Sequence, residues 1–418
     1  MGTQYIARIA DKELGARLLS AGAVLIEGPK ACGKTETARQ AAGHEFRFDV
    51  DSGARALVAA SPQTLLGQAP PVLLDEWQIA PDLWDLVRRE VDDRWPARGQ
   101  FILTGSATPD PLTRRHAGTG RMSSLRMRPM SLFETGHSTG EVSLQRLFAG
   151  DAPAAIDPGV TVPQLIDRLV IGGWPMLIGA SVAEAQQWMR DYIKNIVEVD
   201  IQQLDGRRDP RNVRRLLASL GRAVGTDTTV KALAKDVGGA NGTADWHTIN
   251  AYLDALERLM LVEDVDAWGP HMRSTTPLRK SATRYMVDPS IGVGAIGVGA
   301  THLLGDLNAA GFHFEGMVVR DVRTYAQPIS GGLSHWRDNN GHEVDLIVSL
   351  DDGRWGAFEV KMNPDDVPEA AKSLNRFVDK VDLDKTGKPA FLGVITTNTA
   401  SYQRDDGVQV VHIATLGP

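Results

Sequence analysis

The run Gly28-Pro29-Lys30-Ala31-Cys32-Gly33-Lys34-Thr35 has the spacing G-x-x-x-x-G-K-[ST]. Its glycines let backbone N–H groups approach a polyphosphate, and a helix starting there turns its positive end toward the same charge. In such a loop Lys34 reaches the β and γ phosphates, and the Thr35 hydroxyl ligates magnesium. Glu36 opens the helix-compatible stretch that follows and is counted with the nucleotide-binding residues. The chemistry expected is binding of ATP with Mg²⁺, followed by hydrolysis.

Hydrolysis also needs carboxylates, and Pro71-Val-Leu-Leu-Asp75-Glu76 brings two to the end of an apolar run about 40 residues beyond the loop. Asp75 is expected to hold magnesium through water and Glu76 to polarise the attacking water. In Phe101-Ile-Leu-Thr104-Gly-Ser106 a further run ends in hydroxyls. Thr104 or Ser106 then faces the ligand crevice and senses the γ phosphate; an ordinary Thr-Gly-Ser turn fits the same residues. The one cysteine, Cys32, lies inside the phosphate loop near a helix start, a setting that predicts a reactive thiol.

A second chemical set lies far along the chain. Glu315 falls in a helix-like stretch over 312–319, Asp345 opens a strand to 348, and Glu359 and Lys361 share one face of the next strand. Glu315, Asp345 and Glu359 are candidate oxygen ligands for Mg²⁺, with Lys361 helping to activate a water. The same charges also read as a structural salt-bridge set.

These residues need elements to hold them. Over residues 1–150, apolar runs at 24–27, 72–74 and 101–103 alternate with helical stretches at 34–42 and 81–91, which predicts a parallel sheet with helices on both faces. A Pro/Ala/Gly-rich connector at 151–159 opens a mostly helical region, 151–270. There 229–237 and 245–260 read as helix, turn, helix, with a strand at 261–265, in the order of a winged helix. His247, Thr248, Asn250 and Tyr252 are its candidate readers, and Arg207, Arg208, Arg211, Arg214 and Arg215 gather just before it. Strands at 282–287, 343–348, 357–361 and 391–396 predict a smaller α/β unit over 271–418.

The chain has 418 residues, 42% hydrophobic and 23% charged, with a net charge of −7, which argues against a protein that coats nucleic acid through its bulk charge. No apolar run approaches the ~20 residues of a membrane span. A single cysteine and an N-terminus without an apolar signal core predict the reducing cytoplasm.

Gly28 to Thr35, Leu73-Leu-Asp-Glu-Trp-Gln78, Leu103-Thr-Gly-Ser106, Gly120-Arg121 and Arg128-Pro-Met-Ser-Leu-Phe-Glu134 together resemble the AAA-type (AAA_14-like) domain of bacterial and archaeal ATP-binding proteins with a DUF4143-type C-terminal region. That family usually has Asp-Glu-Ile-Gln where this chain has Trp77. The resemblance implies that Arg121 contacts the nucleotide phosphates, with Arg114 and Arg115 as competitors for an arginine finger. Glu315, Asp345, Glu359 and Lys361 resemble the PD-(D/E)xK nuclease core. The whole implies a P-loop ATPase domain, a winged-helix-like region and a nuclease-like domain acting on or docked to DNA. The alternative is a slow nucleotide-gated switch that binds a protein partner, its nuclease-like domain inactive; a finger supplied by a neighbour would demand an oligomer.

Overall fold

The computed structural model describes residues 5–105, 118–204, 208–226, 228–239, 242–270, 281–338 and 340–418. Two compact units result: Met1–Pro129 with Trp174–Met176 and Arg258–Met260, and Met130–Gly173 with Leu177–Glu257 and Leu261–Pro418. Among the described residues no helix is long and apolar enough to cross a membrane.

The first unit is a five-stranded sheet of β1 (Ala23–Glu27), β2 (His44–Arg47), β3 (Val72–Asp75), β4 (Phe101–Gly105) and β5 (Met122–Arg126), in the order β2-β3-β4-β1-β5. Every pairing is parallel. Side chains alternate across the sheet. Leu25, Leu74 and Leu103 therefore enter a core with Trp77, Trp84 and Val87, while Val24, Ile26, Leu73 and Ile102 enter another with Leu14 and Cys32. Burial on both faces explains why these central strands read as unbroken apolar runs. The edge strands β2 and β5 escaped the sequence reading because His-Glu-Phe-Arg and Met-Ser-Ser-Leu-Arg carry no such run.

Register positions the chemistry. β4 lies between β1 and β3, and Thr104 pairs with both Ile26 and Asp75. The carboxyl ends of the three strands thus lie side by side, where an open parallel sheet presents its crevice.

The second unit holds a short pair, β6 (Val142–Ser143) with β15 (Leu416–Gly417), and a mixed eight-stranded sheet. The larger sheet contains β7 (Val262–Ala267), β8 (Thr283–Met286), β9 (Gly331–Arg337), β10 (Glu343–Leu350), β11 (Trp355–Val360), β12 (Leu392–Thr396), β13 (Tyr402–Gln403) and β14 (Gln409–His412). The helix Val367–Val378 buries Val367, Ala370, Ala371, Leu374 and Phe377, a stripe at helical spacing, in a core shared with Trp268, Trp355 and Val394.

Another helix, Leu307–Ala326, contains the expected 312–319 stretch and is buried along most of its C-terminal half. Inside this unit Arg320 bridges Asp288 at 2.9 Å and Asp321 at 2.7 Å, all three side chains at 2% exposure or less. Asp321 also accepts the Leu132 N–H, and Asp288 the Gly173 N–H. Ser131 and Glu134 close a reciprocal cap on the same segment.

The helix, turn, helix and strand of the middle region form as Val230–Gly238, Trp246–Arg258 and β7, but β7 pairs with β8 and β9 inside the large sheet. Tyr252, expected as a reader, is buried, and its hydroxyl accepts the Asp209 N–H. Arg214 pairs with Glu198, and Arg215 donates to the Val237 carbonyl. Arg207 lies outside the described residues.

Candidate functional site

The loop after β1 folds back on itself through Ala31 (φ 63°) and Gly33 (φ 103°), both left-handed, and Gly33 caps the helix Lys34–Arg39. Gly28 admits no side chain, since a Cβ would lie 2.4 Å from the Met127 carbonyl oxygen on the segment leaving β5. Lys34 is buried and its Nζ donates to the carbonyls of Gly28 and Pro29, each at 2.9 Å. The ammonium is held against the loop by backbone dipoles, with no carboxylate among the described residues ion-paired to it.

Asp75 ends β3 buried, and its Oδ1 accepts from Thr35 Oγ1 at 2.8 Å and from Thr104 Oγ1 at 2.5 Å. Three residues chosen from sequence thus converge on one oxygen. Glu76 follows in a left-handed conformation and accepts from the Gln78 amide. Trp77 is buried against Trp84, its ring 5.2 Å away, so the larger side chain at this position fills core.

Three expectations change. Arg121 precedes β5, whose Met122 pairs with Ala23 at the amino end of β1, while Arg126 pairs with Glu27 at the loop end. At ~3.3 Å per strand residue the two arginines are roughly 16 Å apart. Arg121 therefore sits at the far end of β5 from the loop, bound to Asp92 at 2.7 Å, and Arg126 is the arginine at the loop end of that strand. Cys32 is fully buried among Leu14, Val24 and Ile26, so its thiol is core filling and only its backbone belongs to the loop. The Glu36 side chain turns outward to Arg39, leaving its backbone in the first helical turn. Ser106, Arg114 and Arg115 lie outside the described residues.

The sequence reading missed a brace from the N-terminal segment. Arg8 is buried, and its guanidinium donates to the carbonyls of Cys32 and Arg128, both at 2.8 Å, tying the phosphate loop to the segment leaving β5. Tyr5 hydrogen-bonds Asp11 at 2.6 Å and Thr37 at 3.0 Å. A lone arginine ahead of the first helix carries no motif; only the contact reveals it.

In the second unit the register of β10 against β11 runs to Leu346 opposite Phe358, and Asp345 and Glu359 are the next residues on the two strands. Lys361 Nζ lies 2.9 Å from Glu359 Oε2 and 3.7 Å from Asp345 Oδ2. Asp345 Oδ2 also accepts the Val360 N–H at 2.7 Å, and Glu315 accepts the Tyr285 hydroxyl. Burial, and then the Asp345 charge, push the carboxyls of Glu315 and Glu359 up to about 8. Lys361 moves up as well, because the carboxylate charges outweigh its own desolvation. The two directions are compatible: one ammonium cannot balance all the negative charge around it, so the lysine stays charged while Glu315 and Glu359 keep their protons to higher pH.

All four residues singled out from sequence are therefore neighbours. Among the described residues, however, no three His, Cys, Asp or Glu side chains are grouped to hold a metal ion. Glu315, Asp345 and Glu359, expected as Mg²⁺ ligands, lie around the Lys361 ammonium, which contacts Glu359 and Asp345.

A model of the AAA domain matches residues 20–136, a domain of unknown function (DUF8612) matches 162–302, and another (DUF4143) matches 310–416. No curated protein matches the sequence. Among solved structures the chain is similar to the Walker-type ATPase PABY2304 of Pyrococcus abyssi, at 14% identity and a TM-score of 0.40 over 68% of this chain and 94% of that one. It is also similar to the STAND protein PH0952 of Pyrococcus horikoshii, which has a tetratricopeptide repeat sensor, at 12% identity and a TM-score of 0.26 over 78% of this chain and 50% of that one. A third similar structure is Drosophila ORC bound to DNA, at 15% identity and a TM-score of 0.22 over 71% of this chain and 89% of that one. The phosphate-loop spacing, the all-parallel sheet and the match of residues 20–136 to the AAA domain model together give the first unit a core that resembles a P-loop ATPase.

Proposed function

We propose that the chain binds ATP with Mg²⁺ at the carboxyl ends of β1, β3 and β4 and hydrolyses it. The observation that carries this is the convergence of the Thr35 and Thr104 hydroxyls on Asp75 Oδ1, beside a Lys34 ammonium held on loop carbonyls. A hydroxyl and a carboxylate are hard oxygen donors, the kind Mg²⁺ takes together with substrate phosphates. Thr35 and Asp75 would hold the ion, which supplies charge neutralisation at the β and γ phosphates. The loop N–H groups and Lys34 bind the phosphates, Thr104 stands where the γ phosphate is sensed, and Glu76 orients the attacking water. Lys34→Ala tests the reading: ATP affinity is expected to fall by at least ~100-fold by titration calorimetry, and wild-type affinity in that variant would refute it.

For the second unit two readings remain in play, action on DNA by a nuclease-like centre and a silent unit in a nucleotide-gated switch that engages a protein partner. The Lys361 ammonium, 2.9 Å from Glu359 and 3.7 Å from Asp345, favours the silent unit, because a cation already stands among the carboxyl groups where a metal would bind. Incubation with DNA and Mg²⁺ or Mn²⁺ discriminates. Cutting that disappears in Asp345→Asn and Glu359→Gln would reinstate the nuclease, and no cutting by the wild type supports the switch.

A further inference from the structure

Resting on the ATPase reading, we propose that Gln78 is a positioning residue for the water-orienting carboxylate of Glu76, and that Gly105 keeps the end of β4 open for its amide. Glu76 leaves β3 in a left-handed conformation (φ 54°, ψ 44°) and caps the short 3₁₀ turn Trp77–Ile79, which brings Gln78 back beside it. Gln78 Nε2 donates to Glu76 Oε2. A carboxylate can only accept, so this contact orients the amide and turns Gln78 Oε1 the other way.

That oxygen is buried and has no hydrogen-bond partner among the described residues. A buried acceptor left unpaired is costly, and an aliphatic side chain of similar length would avoid the cost. What glutamine adds is the donor to Glu76. The amide fits because residue 105 has no side chain: a Cβ there would lie 2.7 Å from Gln78 Oε1, 3.3 Å from Trp77 Nε1 and 3.5 Å from Gln78 Cδ. Gly105 does not have a positive φ, so backbone geometry alone does not require glycine.

In the hydrolytic step the water oxygen bonds to the γ phosphorus as the bond to the β–γ bridging oxygen breaks. ADP departs with that electron pair, and a water proton passes to the Glu76 carboxylate. Gln78 touches none of the reacting atoms. It limits the rotamers of the carboxylate that does, and so acts on the chemical step and not on nucleotide binding.

Turnover, affinity for a fluorescent ATP analogue and thermal midpoint are to be measured for Gln78→Ala, Gly105→Ala, their double variant and Glu76→Gln. Gln78→Ala is expected to lower kcat about tenfold with affinity within about twofold and an unchanged midpoint. Gly105→Ala should do the same to turnover, since its methyl meets first the Gln78 amide oxygen at 2.7 Å, the far end of a flexible side chain, and Trp77 Nε1 only at 3.3 Å. The double variant should be no slower than either single one, because both changes undo one contact. Wild-type turnover in Gly105→Ala, additive losses in the double variant, or a joint fall of affinity and midpoint in Gln78→Ala would each overturn the proposal. A normal rate in Glu76→Gln overturns the ATPase assignment and this proposal together. A normal rate in Gln78→Ala beside an inactive Glu76→Gln overturns this proposal alone.

Discussion

The two units handle buried carboxylates in opposite ways. In the first, Asp75 is held by two neutral hydroxyls, and the nearest loop cation, Lys34, is bound to backbone carbonyls. In the second, Glu359 and Asp345 are closed upon by Lys361, and Glu315 is capped by Tyr285. Neutral donors fix a carboxylate without cancelling its charge; an ammonium does both. On the proposed reading the first arrangement leaves charges of both signs to a polyphosphate and its metal ion, whereas in the second a protein cation already lies among the carboxyl groups. The same residue types thus read as a ligand site in one unit and as a closed electrostatic set in the other.

The contrast is broken most severely at Glu76. Glu76→Gln should slow single-turnover ATP hydrolysis by roughly 10²- to 10⁴-fold while leaving nucleotide affinity intact, and a rate near wild type would remove the carboxylate from the chemistry. Arg320→Ala strands Asp288 and Asp321 in the core of the second unit, at an expected cost of about 3–5 kcal/mol. Chemical denaturation followed with probes in each unit should register that loss in the second unit.

A smaller effect is expected from pH. The carboxyls of Glu315 and Glu359 move from an ordinary 4.5 up to about 8 on folding, so between those values the native state holds more protons than the unfolded chain. Their stabilisation is complete below pH 4.5 and is lost as pH rises through 8, on the order of 1–3 kcal/mol for the coupled set. Urea midpoints between pH 5 and pH 8.5 should fall in the wild type, and the Glu315→Gln, Glu359→Gln double variant should flatten that slope. The smallest change is Arg121→Ala, which removes an exposed ion pair with Asp92 and should alter stability by no more than ~0.5 kcal/mol. Turnover should stay near wild type, and a large loss would mean that Arg121 acts on a neighbouring chain's nucleotide.

Legibility from sequence followed the kind of constraint. The phosphate loop and the Asp75-Glu76 strand end were readable because each packs its chemistry into a few consecutive residues flanked by doubly buried strands. Glu315, Asp345, Glu359 and Lys361 were identified as a set because strand alternation puts Glu359 and Lys361 on one face. Whether they serve as metal ligands or as a salt-bridge set is not decided by sequence, since the side-chain distances depend on how β10, β11 and the helix Leu307–Ala326 pack. Arg121 came from the family resemblance, with Arg114 and Arg115 as competitors; that Arg126 and not Arg121 lies at the loop end of β5 follows only from the parallel register with β1.

Local sequence was enough to propose the loop and strand-end residues of the first unit as a site, because glycine freedom, a helix start and a buried strand end act over a handful of residues. Arg8 bracing the loop, the burial of Cys32, the Gln78 amide beside Gly105 and the closure of Lys361 on its carboxylates had to await the folded chain. Each joins residues whose meeting is set by strand order and packing, and no local pattern encodes the sign or separation of charges brought together in that way.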